Sequence, residues 1–401
     1  MGVRSSGATA AAGRSPCSAH ETVQRPTERE AWIALGSVPG VGPASFAAIL
    51  RRFGDARAAL AADPSLLVES VSRADAATLA GLRLVQRLGI PAAAGQLVEH
   101  ARRASGTVVT GIDELYPPQL ARLELRPPVL YVVGSTSVLV TPSVAIVGTR
   151  RPSGYGRAMA TEIADELSRA GVTIVSGLAL GIDGAAHLAA LEAGGRTVAV
   201  LPSPIDRVYP PRHRTLAERI VRGGGALISE APPGRLTGKP DFARRNRIIS
   251  GLADAVVVVE APDHSGALLT AAAAMSQGRD LYAVPGPIDA ITSSGCNRLI
   301  ADHQAELITS AVSLVQRLGL RPAGRSAATA VARLSDTEGV VLGALIKRSG
   351  SIEELQARIQ LSTASVASAL TLLEARGLVT NFGGVTFHPT LAARQMAAVR
   401  T

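Results

Sequence analysis

Between residue 143 and about residue 318 the chain passes through six short aliphatic runs. They are Val144-Ala145-Ile146-Val147, Val172-Thr173-Ile174-Val175, Val198-Ala199-Val200-Leu201, Ala226-Leu227-Ile228, Ala255 to Val259 and Leu281-Tyr282-Ala283-Val284. Helical stretches separate them. A strand with one face in water alternates apolar and polar residues, whereas a strand covered on both faces by crossover helices is apolar throughout. These runs are continuous, so they predict an α/β fold built on a doubly wound, mostly parallel sheet.

The flanks read differently. Residues 1–27 are rich in Ala, Gly, Ser and Pro without a periodic apolar face, and are expected to form a flexible tail or to reflect an over-called start. Residues 28–106 are helical in pattern, and Pro39-Gly40-Val41-Gly42 separates two apolar stretches. This spacing resembles the hairpin of helix-hairpin-helix (SAM-like) modules, whose glycines turn tightly and offer amides to a phosphate. With no lysine in the hairpin, a plain glycine turn in a helical bundle is the competing reading. Residues 107–320 form the core domain. Its lead-in carries the extended pieces Val108-Val109 and Val129 to Val133, broken by Tyr116-Pro117-Pro118 and Pro127-Pro128. A polar linker over 321–333 precedes residues 334–390, where three helices and a hairpin over Gly377 to Phe387, with Gly383-Gly384 at its turn, suggest a winged helix. Residues 391–401 are a tail.

Composition narrows the function. Hydrophobic residues make up 47% of the 401 and charged residues 18%, which excludes a wholly disordered chain. Aromatics are only 3%, so the core is aliphatic and any surface that stacks bases has few platforms. The net charge of +9 suits a polyanionic partner, or simply a basic, arginine-rich proteome. Two cysteines and seven scattered histidines provide neither a disulfide framework nor metal-ligand spacing. No apolar run approaches the roughly 20 residues of a membrane span, and no secretory h-region precedes Pro26. A cytoplasmic protein without metal or organic cofactor is expected.

Ligands of open α/β sheets bind at the carboxyl ends of the strands. The first run is followed by Gly148-Thr149-Arg150-Arg151-Pro152-Ser153-Gly154-Tyr155-Gly156. A dinucleotide fingerprint would place GxGxxG directly at the strand end, with an acid about 20 residues on. Here two arginines fill the turn, which suits an anion held by guanidinium groups and helix-terminal amides, or a glycine turn with surface arginines. After the second run, Gly177 and Gly181 permit close backbone approach and Asp183 is placed to cap the next helix; His187 reads as a core histidine. The third run leads into Pro202 to Pro210 on the same rim. Farther on, Lys239, Arg244, Arg245 and Arg247 crowd the start of a helix with Phe242 among them and only Asp241 opposing. Cations oppose the macrodipole there unless an anion compensates, and a bound phosphate backbone would do so. Ser265-Gly266 opens the helix after the fifth run, and Cys296 reads as structural.

Together these phrases resemble the DprA/Smf family. Those that carry the resemblance are Val147 to Pro152, Ser176 to Ala179 with Gly181-Ile182-Asp183, Arg245 to Leu252, Gly278-Arg279 through Gly286, and Gly295 to Ile300, with the lead-ins Tyr116 to Leu120 and Pro127 to Tyr131. Coverage is about residues 28 to 390. The resemblance implies an extended Rossmann-like core that binds single-stranded DNA in a basic pocket as a homodimer, protects incoming strands in natural transformation and loads the recombinase RecA. It implies Arg150 as the pocket arginine and Lys239 and Phe242 as the lysine and aromatic three positions apart. It places Arg245, Asn246 and Arg247 at the start of the basic helix, and has Ser176, Gly177 and Gly181 supply amides. Ala243-Arg244 is a departure, since the family often has proline near that phenylalanine.

Two rival classes remain. Nucleotide-processing phosphohydrolases share the fold, but their PGGxGT phosphate loop is replaced here by Val284-Pro285-Gly286-Pro287-Ile288-Asp289. Glu230 and Glu260 at strand ends are the carboxylates such a reaction would use. A sequence-specific regulator would need base-reading side chains on the helix over Ser362 to Arg376, which carries Ala, Ser and Leu instead.

Overall fold

A computed structural model describes residues 2, 25–72, 74–320, 334–375, 378–382, 386–389 and 393. Most of the two expected tails, the 321–333 linker, Gly377 and the hairpin glycines Gly383 and Gly384 lie outside the described residues. Chain contacts divide the molecule into two units, Met1–Pro322 and Ala323–Thr401.

The first unit opens with six helices: α1 (Glu28–Gly36), α2 (Pro43–Phe53), α3 (Ala56–Ala61), α4 (Pro64–Val68), α5 (Ala76–Leu88) and α6 (Ile90–Arg103). Local chemistry sets their starts. Thr27 and Glu30 form a capping box on α1, Asp55, Asp63 and Asp75 cap α3, α4 and α5, and Pro43 and Pro64 stand in first turns. Trp32, Phe46, Ile49, Leu60 and Leu82 share one buried cluster. In the hairpin between α1 and α2, the Val41 amide donates to Val38 and that of Gly42 to Gly40, both at 3.1 Å. These two amides serve the turn itself and are not directed at an outside phosphate.

The sheet has nine strands: β1 (Gly106–Thr110), β2 (Val129–Gly134), β3 (Ser143–Val147), β4 (Thr173–Ser176), β5 (Thr197–Val200), β6 (Ala226–Ser229), β7 (Ala255–Val258), β8 (Asp280–Ala283) and β9 (Glu306–Leu307). Their order is β1-β2-β6-β5-β4-β3-β7-β8-β9. All pairs from β6 to β9 are parallel, while β1 and β2 add an antiparallel edge. The helices are α7 (Pro118–Ala121), α8 (Gly154–Arg169), α9 (Ile182–Glu192), α10 (Arg214–Arg222), α11 (Lys239–Leu252), α12 (Gly266–Ser276), α13 (Ser294–Ala301) and α14 (Ala311–Arg317). Side chains of successive strand residues enter two separate cores. Val144, Ile146, Ile174 and Val257 pack with α8, α9 and α14. Ala145, Val147, Val256 and Val258 pack with α11 and α12. This two-sided covering is why the runs are apolar at every position.

Two buried polar groups lock the layers. His187 on α9 is inaccessible, and its Nδ1 lies 2.6 Å from Thr197 Oγ1, whose own proton goes to the Ile174 carbonyl at 2.7 Å. One hydroxyl has one proton, so Nδ1 must carry the hydrogen and donate. Burial, reinforced by the charges of His213 and Arg245, lowers the His187 pKa to about 3. Arg245 on α11 is buried under the strand ends, and its Nη1 donates to the carbonyls of Gly177 at 2.5 Å and Val200 at 2.6 Å. It thereby fixes α11 to the ends of β4 and β5. Cys296 is buried with its Sγ 3.6 Å from the Val258 carbonyl, and burial pushes its thiol up to about 12, consistent with a structural residue.

The second unit contains α15 (Asp336–Lys347), α16 (Ile352–Ile359), α17 (Thr363–Ala375), β10 (Val379–Phe382) and β11 (Thr386–Pro389), a winged helix with an antiparallel wing. Ser335 with Glu338, and Ser351 with Glu354, form capping boxes on α15 and α16. Val341, Leu345, Leu355, Leu370 and Phe387 make its core. Among the described residues no helix is long and apolar enough to cross a membrane.

Two expectations follow. The unfolded chain protonates His187 near 6.5 and the folded one only near 3, so stability contributed by neutral His187 is complete above 6.5 and lost as pH falls through that window. Its share of the slope is about 1.4 kcal/mol per pH unit. Urea unfolding between about pH 7 and about pH 5 should therefore give a steeper loss for the parent than for His187→Gln; equal slopes would contradict the assignment. Arg245→Ala leaves two buried carbonyls without their donor and should cost about 3 kcal/mol in the same measurement, against about 0.5 kcal/mol or less for Arg150→Ala.

Candidate nucleic-acid interface

In a doubly wound sheet the default ligand crevice lies where the strand order reverses, here between β3 and β7. That crevice is filled from within. Ser153 caps α8 by accepting the Gly156 amide at 3.0 Å, and its own amide donates to Glu260 Oε2 at 2.8 Å. Glu260 is only 2% exposed, so a carboxylate of the chain occupies the helix terminus where a bound phosphate would sit. The preceding loop is equally engaged. The Thr149 amide donates to the Glu260 carbonyl at 2.7 Å, its carbonyl accepts from Ile182 at 3.2 Å, and Gly148 is packed between Ile182 and Glu260. Among the loop's expected anion ligands, Arg150 and Arg151 are exposed, and only Arg150 lines the pocket described next.

The open cavity lies farther along the rim, over β4 and β5. Its walls are Ala179, Leu180, Pro202, Tyr209, Pro210 and Phe242, with Arg150, Gly177 and Arg245 completing the lining. Three features bring these together. Gly181, at φ 86°, takes a backbone conformation that favours glycine and sits against Thr149 and Arg150, where a Cβ would collide. The chain after β4 thereby holds Arg150 at the cavity mouth. Gly177 lies under the Arg245 guanidinium with no room for a side chain. On the far side, α11 presents Phe242 with Lys239 three positions earlier, and residues three apart share a helix face. The Arg150 Cζ stands 5.5 Å from the Phe242 ring centroid, and the Tyr209 ring meets Phe242 edge-on at 5.4 Å and 80°. Lys239 is exposed, and no described carboxylate lies within ion-pair distance of it. Arg212 and Arg214 are also exposed on either side of His213, whose Nδ1 lies 2.8 Å from the Leu178 carbonyl. Among the described residues, none lining the cavity is acidic.

Several expected ligands turn inward instead. Ser176 is fully buried and its hydroxyl donates to Ile146, tying β4 to β3. The Gly177 amide donates to Asp183 at 3.1 Å and is spent inside the protein. Asp183 does not cap α9, whose N-cap is Gly181; it reaches back to the amides of Gly177 and Ala179. Burial raises the Asp183 carboxyl above its usual range, opposed by Arg245 and those amides. Burial likewise lowers Arg245 to about 10, with Asp183 opposing the shift. Asn246 donates to the Gly266 carbonyl at 3.1 Å, and Ser265 caps α12, so both Ser265 and Gly266 lie outside the cavity lining. Arg247 Nη2 donates to both Glu230 oxygens at 2.6 Å, a pairing that also occupies Glu230. The crowded helix start is compensated by the protein's own anion. Asp241 accepts the Gly238 amide at 2.8 Å and pairs with Arg235 at 2.6 Å and Arg244 at 3.7 Å. A ligand phosphate is not required for that purpose. Tyr209 was the missed wall. The sequence put Pro202 to Pro210 on the rim, and a tyrosine between rim residues of an aromatic-poor chain was the available signal.

Models of three domain families match this chain: the DprA-like N-terminal HHH domain over residues 26–80, DNA recombination-mediator protein A over 107–319 and the DprA winged helix domain over 325–384. Protein Smf of Synechocystis sp. is 37% identical over 302 residues, covering 74% of each chain. The putative DNA processing protein DprA of Mycobacterium tuberculosis is 36% identical over 371 residues, 88% of this chain and 92% of that one. In structure, the chain resembles DNA processing protein A from Streptococcus pneumoniae, with a TM-score of 0.62, 30% identity, and coverage of 73% of this chain and 98% of the other. The order of the sheet, the presence of a helical domain and a winged helix in the chain, and these matches agree: the chain belongs to the DprA/Smf family of DNA recombination-mediator proteins.

Proposed function

We propose that the rim cavity binds single-stranded DNA, and that the protein acts as a cytoplasmic strand-binding mediator that protects incoming strands and loads RecA, working as a homodimer and without catalysis or cofactor. The observation that carries this reading is the exposed Arg150 guanidinium 5.5 Å from the Phe242 ring in a cavity without an acidic wall, with Lys239 exposed at the start of the same helix as Phe242. Cations supply sequence-independent phosphate contacts, and an aromatic face accepts any base. Duplex DNA hides its base faces in the stack, so a site that combines both suits an unpaired strand. Family membership supports the mediator role. The two carboxylates a hydrolase would use are engaged, Glu230 by Arg247 and Glu260 by the Ser153 amide. The described exposed positions of α17 include Thr363, Ala364, Ser368, Thr371 and Leu372, which offer little to a base edge.

Charge reversal tests the reading. Arg150→Glu or Lys239→Glu should weaken binding to a thymidine oligomer by about tenfold or more. The salt dependence should become shallower by about 0.7 log units per lost phosphate contact. Phe242→Ala should lower affinity with the slope nearly unchanged, because stacking releases no counterions. If both folded reversals bind like the parent, the cavity is not the site. A chain ending at Pro322 should fold and retain single-strand binding, since both cores flanking the sheet are complete by Leu320; a soluble truncation that binds nothing would move the site to the winged helix.

A further inference from the structure

We propose that the N-terminal helices act on strand binding through the fold: α6 and the β1 edge of the sheet hold Ile205, and Ile205 positions the loop over residues 202–210 so that Tyr209 stands at the cavity wall. The inference rests on the single-strand reading above and assigns a positioning role to a residue outside the cavity lining.

The loop has little to hold itself in place. Pro202, Pro204 and Pro210 lack amide donors. The Ser203 hydroxyl donates to the Arg207 carbonyl at 2.5 Å and the Arg207 amide to the Pro204 carbonyl at 3.0 Å, bonds that close the loop on itself without tying it to another element. Ile205 lies within that closed turn and makes the outward connection. It is 4% exposed and shares a buried cluster with Ile33 of α1, Ala94 and Ala101 of α6, Val108 of β1 and Tyr131 of β2. Gly106, the first residue of β1, fits against it only because it has no side chain: a Cβ there would collide with Ile205 Cδ1. The next loop residue, Asp206, meets His100 of α6 at 3.6 Å. Both members of that pair are partly exposed, and such pairs contribute little, so the buried isoleucine is the main anchor.

Tyr209 follows in the same loop, 44% exposed and edge-on to Phe242. Between the two, Val208 packs against the cluster of Leu201 and Ile220 on the sheet side. Ile205 is thus the hold on the side of the helical domain, and Val208 the hold on the side of α10. A surface connection that loses one of its holds joins the low-stability end of the structure, opening locally while the rest stays folded. A wall in place for only part of the time lowers apparent affinity in proportion to that fraction. Because Ile205 does not line the cavity, its effect on binding passes through the loop. The hairpin amides of Val41 and Gly42 serve their own turn, and Ile205 gives the helical domain a different route to the rim.

Amide hydrogen exchange and binding of a thymidine oligomer, measured on the full chain, test the brace. Ile205→Ala should speed exchange over residues 203–209 while β3 and β7 exchange as in the parent, and should weaken binding by about fivefold to tenfold, as a wall present about a tenth to a fifth of the time would. Tyr209→Ala should weaken binding by a similar factor, and adding Ile205→Ala to it should cost less than about a further twofold, because the wall being positioned is already gone. Ile205→Val keeps most of the buried side chain and should stay within about twofold of the parent. Gly106→Ala pushes on Ile205 from β1 and should reproduce the loop exchange and the weakening, which keeps the test decisive if Ile205→Ala fails to fold. Unchanged exchange over the loop, or equal losses with and without Tyr209, would overturn the brace. So would Tyr209→Ala binding like the parent. Arg150→Glu then separates the two readings: a weakened charge reversal keeps the single-strand site and loses the brace, whereas an unaffected one removes both.

Discussion

Placing the Arg245 guanidinium beneath the ends of β4 and β5 carries a desolvation cost of several kcal/mol, which only fixed acceptors and a neighbouring carboxylate can offset. The Gly177 and Val200 carbonyls and Asp183 supply them. Geometry downstream depends on that arrangement. Because Arg245 is fixed, the first turn of α11 is fixed, and with it Phe242 and Lys239. Because Asp183 holds the Gly177 and Ala179 amides, the turn after β4 is fixed, and Gly181 brings it against Arg150. One buried ionic group thus connects three separate segments to a single stretch of rim.

The same rim shows why this topology need not bind a nucleotide at its usual place. In a dinucleotide-binding sheet, a helix terminus at the switch point takes the phosphate. Here Glu260 takes it, and the first strand-to-helix turn becomes a support that leaves Arg150 pointing outward. The open cavity lies instead over β4 and β5, where an aromatic pair and the exposed Arg150 meet. A carboxylate built into the crevice and a cavity lined without carboxylates are two parts of one electrostatic arrangement: it disfavours an anion at the first location and favours one at the second.

The strands were legible because two-sided burial leaves a compositional trace at every residue, and all six aliphatic runs became strands within a residue or so of their expected ends. β9 left none: two residues, Glu306 and Leu307, cannot show a pattern. The site was legible only in part. Arg150 and Phe242 meet at the cavity, whereas Lys239 is exposed outside its lining and Arg245, Asn246 and Arg247 turn into the protein. Which arginine finds a carbonyl or a carboxylate depends on partners distant in sequence, Gly177 being 68 residues from Arg245 and Glu230 17 from Arg247, and periodicity cannot report that. Asp183 was misread for a related reason. A carboxylate near a helix start suggests a cap, but the positive φ of Gly181 gave the cap to the glycine and left Asp183 to reach backward.

We infer that an aromatic-walled cavity with Arg150 at its mouth recognises an unpaired strand through backbone charge and base faces together. A titration of single-stranded against duplex DNA of equal length, at two salt concentrations, tests it most directly. The account predicts tighter binding to the single strand at both salts, with affinity falling as salt rises but the single-strand preference persisting, since stacking is not screened. Equal affinity for duplex and single strand, or a binding constant indifferent to salt, would contradict it.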